Sequence, residues 1–198
     1  MKRILIAISL LFLSGCTITK PYIVEYKISA KGVQTKHNSS ECIGKSLKIA
    51  QAFSEKSLMS SMMDYTQSDS RVFSYTESQW QGTPNHAVAT YIYNEIKDSA
   101  IFRSVLSSKS VSKSDMLLEI NIEEFMQHYS SDMKKLHASI TVSLALIDTK
   151  TNGIIATKTF KSKVDSKKLN ADGGVEALNS ALSDMLEKNI EWLGTVCK

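Results

Sequence analysis

The amino-acid sequence predicts a single α+β domain over residues 22–198, in which a twisted, largely antiparallel mixed sheet packs against two amphipathic helices. Apolar and polar residues alternate over 116–122 and again over 136–146, which predicts two long strands. Apolar residues recur at helical spacing after Pro84 and after Asp172, which predicts the two helices. A chain of this length can bury a sizeable core.

The first part of the domain predicts short strands. Tyr22, Val24, Tyr26 and Ile28 alternate with other residues, and further apolar runs predict strands over 46–53 and 71–75. The segment 58–65 carries three methionines, which either form an adaptable contact surface or fill the core: Met59, Met62 and Met63.

Each predicted helix has a start signal. The hydroxyl of Thr83 followed by Pro84 predicts a capped helix that ends near Ser99, before a short strand over 102–106. Asp172 is the expected cap of the last helix. The apolar stripe of that helix comprises Val175, Leu178, Ala181, Leu182, Met185, Leu186, Ile190 and Leu193.

The two long strands continue into a third. Residues 148–153 contain Asn-Gly and predict a turn, after which the chain returns as a strand over 154–164. The result is a long antiparallel hairpin or meander.

The N-terminus has the pattern of a secretion signal. Lys2 and Arg3 precede a short apolar run over 4–13, which covers about half of a ~30 Å hydrocarbon core and is too short for a permanent span. Small residues end the run. Residues 1–15 are therefore expected to be a cleaved signal peptide.

The end of this signal, Leu13-Ser14-Gly15-Cys16, resembles the lipobox of bacterial lipoproteins. The resemblance implies that the Cys16 thiol receives a diacylglycerol and that the new amine is acylated after cleavage. Two or more acyl chains suffice for stable anchoring. Residues 16–21 are then a short lipidated tether, and no cofactor beyond these acyl groups is expected.

Two further cysteines are expected in an oxidising compartment. Cys42 and Cys197 lie far apart in the sequence, and a bridge between them is favoured over two separate buried thiols. Neither the cysteines nor the four histidines have the spacing of a metal site, so no metal is expected.

The charge balance argues against a nucleic-acid partner. The chain carries 24 basic and 20 acidic residues, a net charge of +4, and removal of Lys2 and Arg3 leaves a nearly balanced domain. Four lysines cluster late in the chain, and a solvated strand edge is favoured over contact with anionic lipid headgroups: Lys161, Lys163, Lys167 and Lys168.

No catalytic motif is present in the sequence. It contains neither a glycine-rich phosphate loop nor a nucleophile elbow. An acid/base pair could be drawn from His128 with Asp132, or from Glu119 with Glu123 and Glu124, but surface carboxylates are far commoner. The sequence therefore favours a protein that is not an enzyme.

Two aromatic residues precede the first helix. Trp80 lies in a polar stretch and is either a partner-binding surface or part of the core. Phe73 is expected in the core.

Taken in order, these elements resemble the ABC-type transport auxiliary lipoprotein family, which includes the lipoprotein of the paraquat-inducible operon. The resemblance covers most of the chain after Cys16. It runs through Tyr22-Ile23-Val24, Trp80 and Pro84, the segment 99–105 and the segment 115–125. It implies a membrane-anchored periplasmic accessory subunit that contacts an MCE-type substrate-binding protein and its ABC transporter, moving phospholipid or other hydrophobic molecules.

Other roles remain open at this point. The domain could be a lipid carrier with its own cavity, or it could assist envelope assembly or cell-wall synthesis. Thr17 is not the aspartate that typically retains lipoproteins in the inner membrane, which favours the outer membrane. A homo-oligomer is neither required nor excluded.

Overall fold

The computed structural model describes residues 22–32, 41–68 and 70–197. The predicted signal peptide 1–15, the lipobox-like residues Leu13, Ser14 and Gly15, the predicted lipid site Cys16 and the predicted tether 16–21 lie outside the described residues.

Within the described ranges, nine strands form one sheet and two α-helices accompany it. The strands are β1 Val24–Tyr26, β2 Ser46–Ile49, β3 Phe53–Ser54, β4 Met62–Gln67, β5 Arg71–Trp80, β6 Ser104–Leu106, β7 Met116–Tyr129, β8 Leu136–Asp148 and β9 Gly153–Asp165. The helices are α1 Pro84–Asp98 and α2 Ala171–Val196, and a 3-10 turn covers Lys56–Met59.

The long strands β7, β8 and β9 form the predicted antiparallel meander. The edge of β7 that does not pair with β8 pairs with three shorter strands, all in parallel. Strand β4 pairs with the last residues of β7, and β2 and β3 pair with its first half. Strands β5 and β1 extend the sheet beyond β4, and β6 extends it beyond β2. The α+β fold with a mixed sheet is confirmed, the long ladders being antiparallel and the short ones parallel.

A β-bulge divides the long strand β7. Its pairing with β8 shifts register between Ile122 and Glu124. Even-numbered residues are buried before the bulge and odd-numbered ones after it, as with Phe125 and Tyr129. The extra residue reverses which side chains face the helices. The predicted alternation ended at Ile122 for this reason.

Helix α2 packs its apolar stripe on β8 and β9. All the residues predicted for that stripe are buried. The expected cap is wrong, because Asn170 is the N-cap and accepts a hydrogen bond from the Gly173 N–H at 3.0 Å. Asp172 lies in the first turn, where it accepts a hydrogen bond from the Tyr26 hydroxyl at 2.5 Å.

Helix α1 begins at Pro84 as predicted, but Thr83 makes no side-chain capping bond. The proline sets the helical φ at the first position, where no N–H partner is needed. The helix ends at Ser99, whose N–H donates to the Glu95 carbonyl.

The short strands differ most from the prediction. The predicted strand over 46–53 is split into β2 and β3, and the methionine segment 58–65 holds the end of the 3-10 turn and the start of β4. The three methionines divide as well. Met63 is fully buried, whereas Met59 and Met62 are exposed.

The first turn of α2 leaves no room for a side chain at Gly173. A Cβ there would lie 2.4 Å from the Lys168 carbonyl oxygen and 2.5 Å from Ser166 Oγ. We expect Gly173→Ala to lower the free energy of unfolding by about 2 kcal/mol, because backbone must move. Urea denaturation measures this. Gly44→Ala is the control, since nothing lies within 4 Å of its Cβ, and an equal loss in both variants would contradict the prediction.

Candidate functional site

A disulfide joins Cys42 to Cys197. The sulfur atoms are 2.07 Å apart and the Cα atoms 5.3 Å apart. Beside it, the Glu41 N–H donates to the Cys197 carbonyl at 2.7 Å. The predicted bridge is confirmed, and it ties the segment before β2 to the end of α2.

The structure decides between the two interpretations of Trp80 and corrects the one for Phe73. Trp80 is only 3% exposed and packs edge-to-face on Phe125, with ring centroids 5.7 Å apart. It therefore belongs to the core, and its interpretation as a partner surface is wrong. Phe73, expected in the core, is 41% exposed and stacks on Tyr65 at 5.6 Å. It lies near the free end of the β4–β5 hairpin, beyond the cover of the helices.

Three connections meet at one end of the sheet. The Gln67 side chain at the β4–β5 turn donates to the Ser131 carbonyl in the β7–β8 turn at 3.1 Å. The Ser166 N–H, after β9, donates to the Leu136 carbonyl at 2.8 Å. Strand β1 runs parallel to β5, so its N-terminal side faces this same end. We call residues 71–73, 131–135 and 167–169, together with the segment 22–23 that leads toward them, the β1 end.

The β1 end exposes apolar and basic side chains together. Its exposed apolar residues are Tyr22, Ile23, Val72, Phe73, Met133 and Leu169. Its exposed basic residues are Arg71, Lys134, Lys135, Lys167 and Lys168. Two of these are paired, Lys134 with Asp132 at 4.0 Å and Lys168 with Glu176 at 2.8 Å.

Beneath this end lies a hydrogen-bonded aromatic cluster. The Tyr75 hydroxyl donates to Gln127 Oε1 at 2.9 Å and lies 3.0 Å from the Tyr129 hydroxyl. Burial, followed by the Tyr129 hydrogen bond, raises the pKa of Tyr75. Gln127 is fully buried against Gly174, where a Cβ would lie 1.8 Å from its side-chain oxygen. These contacts fix the packing of Tyr75, Gln127 and Tyr129 beneath the β1 end.

A second polar cluster lies on the sheet face opposite the helices. His128 Nε2 is 2.9 Å from Glu124 Oε1, and His128 Nδ1 is 2.7 Å from the Thr66 hydroxyl. With Nε2–H donating to the carboxylate, the neutral ring accepts from Thr66 through Nδ1. Thr141 also donates to Glu124, at 3.2 Å. The rings of His128 and His137 stack at 4.9 Å.

This cluster differs from the acid/base pairs drawn from the sequence. His128 contacts Glu124, whereas Asp132 accepts from Ser130 in the turn. Glu123 accepts from Ser143 on β8 and does not join the histidine. Glu124 reaches the histidine face only because of the bulge. The arrangement is a hydrogen-bonded polar cluster that joins strands β4, β7 and β8.

The environment shifts two pKa values in the histidine cluster. The His128 hydrogen bond is the main cause that lowers the pKa of Glu124, against the opposing effect of burial. Burial, then Lys163 and His128, lowers the pKa of His137, while Asp165 and Glu124 oppose that shift. The folded domain therefore favours neutral His137.

We expect stability to fall as the pH drops below 6.5, the ordinary histidine value, because the unfolded chain then binds a proton that folded His137 resists. His137→Gln should weaken this dependence. Urea denaturation at pH values on both sides of 6.5 measures it. His86→Gln, at an exposed position on α1, is the control. An unchanged pH slope in the His137 variant would contradict the assignment.

The strand edge carries the predicted lysines. Among the described strands β9 pairs with β8 and with no other, and Lys161 and Lys163 on it are exposed. The strand-edge interpretation is confirmed for these two residues. Lys167 and Lys168 lie beyond the strand, in the β1 end.

Two surface grooves lie away from both clusters. One, of about 610 Å³, runs beside Phe53, Glu119 and Lys158 on the sheet. Another, of about 630 Å³, separates α1 from the segment 48–52. Both are open to solvent.

The described ranges lack two kinds of feature. Residues 22–32, 41–68 and 70–197 contain no group of three or more metal-ligating side chains close enough to hold an ion. Neither described helix combines the length and apolar character needed to cross a bilayer.

Comparison with known proteins identifies the fold. No protein-family model matches the chain, and no curated protein sequence matches it. The structure is similar to protein XCC0632 from Xanthomonas campestris, described by the family name DUF330, with a TM-score of 0.76 and 16% identity over 87% of this chain and 96% of that one. It is also similar to an uncharacterised protein, with a TM-score of 0.66 and 13% identity over 87% and 99% of the two chains. At these identities the likeness establishes a shared fold.

Proposed function

We propose that this chain is a lipid-anchored protein of the bacterial envelope and a non-catalytic accessory subunit of an MCE-type ABC transport system. The anchor is the Cys16 thiol, at the end of the lipobox-like sequence that begins at Leu13. The domain would act by contacting other proteins at the membrane, while ATP hydrolysis and cargo binding belong to its partners.

The short distance between anchor and domain carries this proposal. Strand β1 begins at Val24, so the domain starts soon after Cys16. Residues 17–21 extend to at most about 17 Å. A domain held this closely remains at the bilayer surface. The disulfide between Cys42 and Cys197 supports an oxidising compartment.

The transport role rests on the order of family-like segments. Three of these segments lie in the middle of the fold. The Trp80 ring is in the core, Pro84 starts α1, and the segment 115–125 forms most of the central strand β7. The filled core favours a contact subunit over a lipid carrier, because the apolar side chains of α2 and β8 pack against each other. The outer membrane is the proposed location, from Thr17 after the lipid site.

Replacing the anchor cysteine tests the first half of the proposal. We expect Cys16→Ser to abolish labelling by a fatty-acid probe and to leave the signal peptide uncleaved, because serine offers no thiol for the diacylglycerol. Intact mass and membrane fractionation measure both effects. The double variant Cys42→Ser/Cys197→Ser is the control, since it removes the two bridged cysteines and leaves Cys16 in place. Normal labelling of the Cys16 variant would refute the anchor.

Photo-crosslinking in the envelope tests the second half. A crosslinking amino acid replaces Phe53, exposed beside the 610 Å³ groove, or Val111, fully exposed in the loop before β7. Mass spectrometry then identifies the captured protein. We expect an MCE-type protein or its permease at one position or both. Capture of cell-wall synthases or outer-membrane assembly proteins instead would favour the alternative envelope roles and contradict the transport proposal.

A further inference from the structure

We infer that the β1 end of the sheet rests on the bilayer that holds the acyl chains, contacting anionic lipid headgroups. This inference rests on the lipid anchor of the proposed function and assigns the surface of the domain that faces the membrane. The occupant is a bilayer surface, and neither a second copy nor a protein partner is required there.

The direction of the first strand supports this orientation. Val24 pairs with Ser78 in a parallel register, so the chain before Val24 leaves the sheet on the side where β5 begins at Arg71. From Ser78 back to Arg71 the strand covers about 23 Å. Residues 16–23 extend to about 27 Å. The anchor can therefore lie level with the β4–β5 turn while the domain stands with this end on the membrane.

The side chains at the β1 end suit the interfacial region of a bilayer. Tyr22 is 85% exposed and would be the described residue nearest to the anchor in the chain. Tyrosine prefers the headgroup level, where its ring is shielded and its hydroxyl stays hydrated. Val72 and Phe73 project from the adjacent hairpin, and Leu169 from the loop before α2. In water these apolar side chains are exposed to solvent, whereas the interfacial region of a bilayer would bury them.

Basic residues surround the apolar ones. Lys135 and Lys167 are exposed, and Arg71 lies beside the apolar hairpin residues. The acidic residues described near this end are Asp132, whose carboxylate is engaged by Ser130, Glu176, which pairs with Lys168, and Asp165 at the end of β9. The five exposed basic residues of the β1 end therefore outnumber these three carboxylates. Anionic headgroups would complement this surplus.

Quenching by lipid tests the orientation in the intact lipidated protein. Phe73→Trp and, separately, Ile154→Trp are reconstituted in vesicles of phosphatidylcholine and phosphatidylglycerol whose acyl chains carry bromine. Ile154 is the matched control, because it is 67% exposed and lies at the opposite end of β9, about 40 Å from Asp165. The native Trp80 and Trp192 contribute the same background to both variants. We expect brominated lipid to quench position 73 and to leave position 154 at background.

Charge variants test the headgroup contact. In the Phe73→Trp protein, Lys135→Glu with Lys167→Glu should reduce the docked population by roughly fivefold for each lysine removed. Lys109→Glu with Lys113→Glu, in the exposed loop at the other end, should leave quenching unchanged. Vesicles of phosphatidylcholine alone should give less quenching than the mixed ones.

The outcomes separate this inference from the anchor itself. Protein that fails to float with the vesicles contradicts the lipid anchor. Protein that floats but shows equal quenching at positions 73 and 154, or none at either, retains the anchor and overturns the orientation. Far-ultraviolet circular dichroism of both tryptophan variants establishes that each is folded.

Discussion

The double variant Cys42→Ser/Cys197→Ser is expected to lose about 3–5 kcal/mol of unfolding free energy. The bridge spans a sequence separation of 155, so it removes a large closure entropy from the unfolded chain. Guanidinium denaturation followed by circular dichroism measures the loss. Both cysteines are replaced together, because a single remaining thiol could form intermolecular bridges.

Reductant supplies the control for this prediction. Wild-type protein in dithiothreitol should approach the stability of the double variant, whereas the variant should not respond to dithiothreitol. A loss below about 1 kcal/mol in both cases would mean that the unfolded chain remains compact without the bridge, contrary to the entropic account.

Leu182→Ala is expected to lower the free energy of unfolding by about 3–4 kcal/mol. Leu182 is fully buried in the middle of α2, on the face that packs against β8 and β9. Removing its side chain loses both the transfer free energy and the contacts that line the resulting cavity. Urea denaturation of the otherwise unchanged protein measures the effect.

Leu169→Ala is the matched control for the core variant. Leu169 is 52% exposed in the loop before α2, so its truncation should change stability by less than about 0.5 kcal/mol. Comparable losses in the two variants would show that α2 does not form the main packing layer of this domain.

Local pattern accounts for the elements that were predicted correctly. The meander β7–β9 and helix α2 each carry a long apolar repeat, and a repeat records which face of an element is buried. Pro84 marks the start of α1 by its own covalent geometry. The disulfide could also be predicted from the sequence, because only Cys42 and Cys197 remain once Cys16 is assigned to lipid.

The polar cluster shows where such reasoning ends. Simple alternation would turn Glu124 toward the helices with Ile122, but the bulge moves it beside His128. A signal was present in the sequence. The apolar positions change from even, ending at Ile122, to odd, beginning at Phe125. Thr66, the third member, arrives from β4 by a parallel pairing that no local pattern encodes.

By itself the sequence determined the α+β class, the two helices, the long strands and the lipobox-like Cys16, because each depends on residues close together in the chain. Tertiary structure alone decided that Trp80 is buried, that Phe73 is exposed, and that β1 points its N-terminal side toward the β4–β5 turn. Those outcomes depend on which distant elements cover a side chain or pair with a strand. Burial and pairing are long-range contacts, and a residue carries no local record of its distant neighbours.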